Sequence, residues 1–174
     1  MSKIYSILTE PNPILRNKSL DLDLATISKR ELETLCQNMT ATMLESDGVG
    51  LAAPQIGQNV RLAIINTADG PISLINPKIT GKSIRKEWGE EGCLSVPEVF
   101  GQVKRHKKIN CQYFDKTGKK IILKAEGLLA RVIQHEIDHL DGILFIDKMK
   151  PIKNIEKSKY YKKIIKANEA KQSN

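Results

Sequence analysis

Gln134-His135-Glu136-Ile137-Asp138-His139 is the stretch that decides how the rest of the chain is read. Around it Leu128, Leu129, Val132, Ile133, Ile137 and Leu140 recur at spacings of three and four. That pattern predicts a buried helix from about Gly127 to Leu140. On such a helix His135 and His139 stand one turn apart on the same face, close enough to hold one metal ion. Neutral imidazole is the common form near pH 7 and a good ligand, so both rings bind without a large cost of deprotonation. Glu136 projects beside the pair, where a carboxylate can handle the proton of an activated water. The alternative is a pair of surface histidines with an ordinary acidic neighbour. The chain has only 3 histidines, and two of them at ligand spacing on so apolar a helix favour the metal site.

At 174 residues the chain is read as one catalytic domain, 1–174, large enough to bury a core. Hydrophobic content of 40% and charged content of 28% are ordinary for a globular protein. The net charge is +8, and residues 151–174 carry seven Lys against two Glu. Ile152, Ile155, Tyr161, Ile164 and Ile165 mark an amphipathic basic helix over about 152–168, with 169–174 frayed. Its lysine face is either a solvated surface or a surface for phosphates. No secretory leader and no apolar run of membrane-spanning length is present. The 3 cysteines argue for a reducing compartment. The expectation is a cytoplasmic protein with no membrane and no DNA partner.

Upstream of the motif, Ser28-Lys29-Arg30-Glu31 reads as a capping box that opens a helix to about Leu44. Leu32, Leu35, Cys36, Met39 and Met43 form its apolar face, so Cys36 is read as packing. Gly48-Val49-Gly50-Leu51-Ala52-Ala53-Pro54-Gln55 follows, a backbone with little side-chain cover and suited to close approach by a ligand. Gln55 carries an amide able to donate to a developing oxyanion. Strand-like runs come next: 60–65, then 72–75 closed by Asn76-Pro77. Residues 109–114 and 121–123 flank Asp115-Lys116-Thr117-Gly118 as a hairpin. Cys111 alternates with Ile109 and Tyr113 and faces inward. Between these hairpin strands and the earlier ones lies 88–97, Trp-Gly-Glu-Glu-Gly-Cys-Leu-Ser-Val-Pro.

A catalytic metal of this kind takes three protein ligands and leaves one position open. A motif extended to H-E-x-x-H-x-x-G-x-x-H would supply a third histidine, but Phe145 stands at that position. Glu156 and Glu169 are carboxylate candidates from the Lys-rich terminal segment. Cys93, between glycine and leucine, is the third candidate, because a thiol ionises readily beside a dication.

In this respect the chain resembles the peptide deformylases. Three ordered motifs carry the resemblance: Gly48 to Gln55, Glu91-Gly92-Cys93-Leu94-Ser95, and Gln134 to His139. The resemblance implies an α+β fold of mostly antiparallel sheets packed around the H-E-x-x-H helix, plus a C-terminal helix. It implies removal of the formyl group from the N-formylmethionine of nascent polypeptides, with release of formate. Cys93, His135 and His139 match the family's metal ligands, Glu136 its proton carrier, and Gln55 with the Leu94 backbone N–H its oxyanion donors. The implied ion is Fe(II), with zinc, nickel or cobalt able to occupy the same site. Val49, Gly50, Gly92, Leu94 and Val132 match the methionine pocket, and the substrate peptide pairs with the Gly48–Gly50 segment as an added strand. Arg131 departs from purely apolar members and is expected at the pocket rim with its head in water. The region of Phe100 and Gly101 lacks an Arg that some members carry. The family also suggests the ribosome as a partner for the basic tail. Two readings compete: a metallopeptidase with a carboxylate third ligand, and a non-catalytic ribosome-associated module.

Overall fold

The structure, a computed structural model, describes residues 2–150. The helix expected over 152–168 and the frayed end at 169–174 therefore lie outside the described residues. In chain order the elements are α1 (Lys29–Glu45), β1 (Gly50–Ala52), β2 (Leu62–Thr67), β3 (Gly70–Lys82), β4 (Lys86–Cys93), β5 (Val96–His106), β6 (Lys108–Phe114), β7 (Lys120–Glu126) and α2 (Gly127–Leu140). The capping box forms as the sequence predicts. Ser28 Oγ accepts from the Glu31 N–H at 3.2 Å, and the Glu31 carboxylate accepts from the Ser28 N–H at 3.1 Å. Leu32, Cys36, Met39 and Met43 then turn one face of α1 onto Leu51, Leu62 and Ile64. Burial of these side chains holds α1 against the start of the sheet.

Strands β1-β2-β3-β6-β7 form a five-stranded sheet, in that order, with every pair antiparallel. Cys111 faces inward with Ile109 and Tyr113, as the alternation requires. Strand β3 runs well past the expected stop at Asn76-Pro77. The register slips between Ile75 and Lys78, and Asn76 adopts a positive φ of 50°. Proline lacks an N–H for the ladder and is accommodated where a bulge interrupts pairing. The Asn76 side chain turns this irregularity into a contact, bonding the Leu22 N–H at 2.8 Å and the Leu22 carbonyl at 2.9 Å.

The sequence reading did not resolve β4 and β5, which make a separate two-stranded sheet. Gly89 pairs with Val103 and Glu91 with Gly101, and a tight turn at Leu94 and Ser95 joins Cys93 to Val96. Met149 bridges the other side of β5 at Val103, and the Lys150 N–H bonds the Gln102 carbonyl at 2.9 Å. Lys150 Nζ sits 3.8 Å from the centre of the half-exposed Trp88 ring.

Helix α2 packs inside these layers, with Ala130, Val132, Ile133 and Ile137 against Ile65, Leu74 and Ile109. Its final carbonyl, Leu140, accepts from Arg61 Nη1 at 3.1 Å and from the Ser19 N–H at 2.8 Å. Arg61 also pairs with Asp141 at 2.7 Å. A buried cation at a helix C-terminus satisfies orphan carbonyls and opposes the helix dipole. Among the described residues no helix is long and apolar enough to cross a membrane. Replacing the α1 cap, Ser28→Ala, is expected to lower unfolding free energy by about 1 kcal/mol in urea titrations. An unchanged midpoint would mean that the cap contributes nothing.

Candidate metal centre

Two separate units meet at the motif. Helix α2 carries His135 and His139 with ring centres 5.0 Å apart, and the end of β4 brings Cys93 to them. Cys93 Sγ lies 3.1 Å from His139 Nε2. One donor atom from each of Cys93, His135 and His139 falls within 4.8 Å of the other two. Three lone-pair donors held this close repel one another unless something positive lies among them. Bonds of about 2.0–2.3 Å to a tetrahedral ion fit that spacing. The thiol and two imidazoles are borderline-soft donors of the kind that hold zinc or iron-group ions. The residues present therefore fit a divalent cation. Phe145, which occupies the third-histidine position of the longer motif, stacks 6.1 Å from the His135 ring as a wall.

The second layer orients the first. Glu91 Oε2 accepts from His135 Nδ1 at 3.0 Å, leaving the opposite ring nitrogen for an ion. Arg105 grips the same carboxylate through Nε at 2.9 Å and Nη2 at 2.8 Å, and also pairs with Asp138. Lys148 Nζ reaches the other Asp138 oxygen at 2.6 Å. Burial alone would raise the Glu91 carboxyl, but the Arg105 and His135 hydrogen bonds outweigh it and hold it well below the usual carboxylate range. Burial opposes charge on His135 too, yet the bonds to Cys93 and Glu91 prevail and lift its pKa to about 10. Contrary to the expectation that both rings bind without a large cost of deprotonation, an ion must displace a proton from His135. His139 goes the other way: burial and the neighbouring His135 keep it neutral, the form that ligates.

A cavity of about 500 Å³ opens in front of the cluster. Val49, Gly50, Gln55, Gly92, Cys93, Leu94, Val132, His135 and Glu136 all line it, while His139 lies beneath at 1% exposure. Glu136 is 3% exposed, and its Oε2 has no hydrogen-bond partner among the described residues. Burial pushes this carboxyl up to about 7. Gly50 makes room for it: a Cβ there would stand 2.8 Å from Glu136 Cδ. Gln55 is held by its carbonyl, which accepts from the Ala52 N–H at 2.8 Å. Its NH₂ group points to Ser95 Oγ at 3.1 Å and toward Cys93 Sγ at 3.6 Å. Phe100 lies over Gly92 at the cavity mouth, where a Cβ would meet its ring at 2.7 Å.

One expectation holds only in part: Arg131 lines the cavity, but its head is not in water. The Arg131 side chain is 11% exposed, with its head turned inward onto Glu91 at 2.7 Å instead of into water. An inward carboxylate and several backbone carbonyls offer a guanidinium more than the rim does. The roles of Arg105, Asp138, Lys148 and Phe145 were also missed. Of these only Asp138, inside the motif, carried a signal.

The model of the family described as polypeptide deformylase matches residues 4–155. A peptide deformylase of Syntrophomonas wolfei is 47% identical over 145 residues, covering 83% of this chain and 93% of the relative. The crystal structure of peptide deformylase from Thermotoga maritima superposes with a TM-score of 0.80 at 38% identity, covering 85% of this chain and 99% of that one. A Met-Ala-Ser-bound class I type b peptide deformylase from Acinetobacter baumannii gives 0.81 at 33% identity, covering 86% and 100%. Shared sequence along most of both chains, and an α+β frame of antiparallel strands around one motif helix, lead to a single assignment: the chain belongs to the polypeptide deformylases, enzymes that remove the N-formyl group from nascent peptides.

Proposed function

We propose that the chain is a metal-dependent hydrolase that cleaves the formamide of N-formylmethionyl peptides and releases formate. The observation that carries this reading is the joint one: the Cys93, His135 and His139 donors within 4.8 Å, beside a buried Glu136 oxygen that has no partner among the described residues. A metallopeptidase with a carboxylate third ligand is less well supported, because Cys93 already supplies the third donor. When bound, a divalent ion at Cys93, His135 and His139 supplies Lewis-acid chemistry, easing ionisation of water and polarising the carbonyl. The resemblance favours Fe(II), and the donor set also suits zinc, nickel or cobalt.

The protein's own groups do the rest. Glu136 takes the proton of the water that attacks the formyl carbon and returns it to the amine nitrogen as the C–N bond breaks. Burial raises the proton affinity of this carboxyl, which suits a group that must both take a proton and return it. Gln55 Nε2 and the Leu94 backbone N–H donate to the carbonyl oxygen as it gains charge. Val49, Gly50, Gly92 and Val132 form the methionine pocket, where two glycines expose backbone and two valines supply apolar surface. Among the described residues β1 pairs with β2 alone, and with the Ala52 N–H taken by Gln55 the edge at Gly50 remains for an extended peptide. The Acinetobacter baumannii relative bound to Met-Ala-Ser supports a peptide that begins with methionine. Such a substrate arises where translation occurs, which favours a cytoplasmic location. The seven lysines of 151–174 suit ribosomal RNA phosphates as a partner surface.

Protein prepared without oxygen and loaded with Fe(II) is expected to release formate from formyl-Met-Ala-Ser and to leave unblocked peptides intact. Chelation should abolish the activity, and cleavage of unblocked peptides would favour the metallopeptidase instead. Glu136→Ala should retain its ion but lose about 10²–10⁴-fold in kcat; turnover like the wild type would remove Glu136 from the chemistry. Gly50→Ala should keep its fold and lose comparable activity, because the new methyl displaces the Glu136 carboxylate. Full activity in that variant would show that the close approach is dispensable.

A further inference from the structure

Arg131 has no part in the chemistry above, yet its head is buried where β4, β5 and α2 meet. Nη1 donates to Glu91 Oε1 at 2.7 Å, to the Val103 carbonyl at 3.0 Å and to the Gly89 carbonyl at 3.3 Å, while Nη2 donates to the Glu87 carbonyl at 3.2 Å. The guanidinium lies against bare backbone: a Cβ on Gly89 would stand 2.7 Å from Arg131 Cζ. Gly89 and Arg131 are thus fitted to each other, one by having no side chain and the other by being flat.

The position of this clamp matters because the hairpin that delivers Cys93 is a separate two-stranded sheet. It is joined to the end of β3 and β6 at its far end from Cys93, where the Lys107 N–H bonds the Arg85 carbonyl and the Ser83 N–H bonds the Lys108 carbonyl. Gln134 on the His106 backbone and Arg105 on Asp138 hold the base of the hairpin to α2, and the Glu10 N–H holds the Ser95 carbonyl at 2.9 Å. The placement of Cys93 therefore depends on what fastens the stretch between them. Arg131 fastens β4 at Glu87 and Gly89, upstream of Cys93 on the same strand, and β5 at Val103. Through Glu91 it also steadies the carboxylate that orients His135. One side chain therefore acts on a ligand from each of the two units.

We propose that Arg131 is a positioning residue for the metal centre, setting the approach of Cys93 through the hairpin and the orientation of His135 through Glu91. The proposal rests on the reading that Cys93, His135 and His139 hold an ion. A planar guanidinium with several divergent donors suits this place, and a Lys ammonium cannot span the same acceptors. Loss of an outer-layer partner typically weakens metal retention by about 10–100-fold.

The test uses the full chain loaded with Co(II), whose thiolate absorption band reports the Cys93 bond. Arg131→Met and Arg131→Lys are each expected to lose the ion to a chelator about 10–100-fold faster than the wild type, with a shifted thiolate band. Gly89→Ala alone should act in the same direction by pushing the guanidinium aside. In an Arg131→Ala background the same Gly89→Ala change should add little, because the methyl then has room. Wild-type release rates and an unshifted band in well-folded Arg131→Met, or a lowered melting temperature without faster release, would overturn the proposal. So would an equal Gly89→Ala effect in both backgrounds. Should Arg131→Met fail to fold, Arg131→Lys and Gly89→Ala decide the matter. A wild-type protein that takes up no Co(II) sinks the metal reading itself, whereas binding that is indifferent to Arg131 sinks only this inference.

Discussion

The carboxylate of Glu91 is the joint on which the site depends. Its two oxygens accept from Arg105 twice, from Arg131 once and from His135 once, all between 2.7 and 3.0 Å. Burying a carboxylate and two guanidinium groups carries a heavy desolvation cost, offset only where nearly every lone pair is used. Here the geometry meets that condition. The stake is correspondingly high, since removing one partner of such a group typically costs about 3–5 kcal/mol. Because Glu91 belongs to β4 and its partners to β5 and α2, the joint converts electrostatics into relative placement. The thiol and the imidazoles come from different units, and this carboxylate is what makes their meeting reproducible.

Much of the frame was legible because it follows local rules. The 3.6-residue apolar period gave α2 its bounds at Gly127 and Leu140, and Ser28 with Glu31 gave the start of α1. Alternation placed Cys111 inside. The β4–β5 hairpin was not legible, and the reason is physical. The inward positions of β4 are Glu87, Gly89 and Glu91, which meet arginines instead of a hydrocarbon core. A strand whose buried side is charged and glycine-rich leaves no apolar alternation to detect. Asn76-Pro77 misled for a related reason: a stop signal in sequence became a bulge once Leu22 supplied partners for the Asn76 amide.

The site divides in the same way. Spacing alone put His135, His139 and Glu136 together, and the ordered motifs brought in Cys93, Gln55 and Leu94. The supporting ion pairs were invisible, since Arg105 with Asp138 and Lys148 with Asp138 are contacts of tertiary packing without a local signature. Arg131 was misjudged because a long cationic side chain on a helix normally seeks water. Only the three-dimensional arrangement reveals that β4 has left Gly89 uncovered beneath it.

The two-stranded ribbon has one more consequence. Small isolated sheets present unpaired backbone along their margins, and such margins recruit copies of the same strand into aggregates. On the β5 margin this hazard is met within the chain: Met149 closes against Val103, the Lys150 amide takes the Gln102 carbonyl, and the Lys150 ammonium settles on Trp88. Met149 and Lys150 thereby serve as a selvedge, covering part of a border that would otherwise invite intermolecular β-pairing.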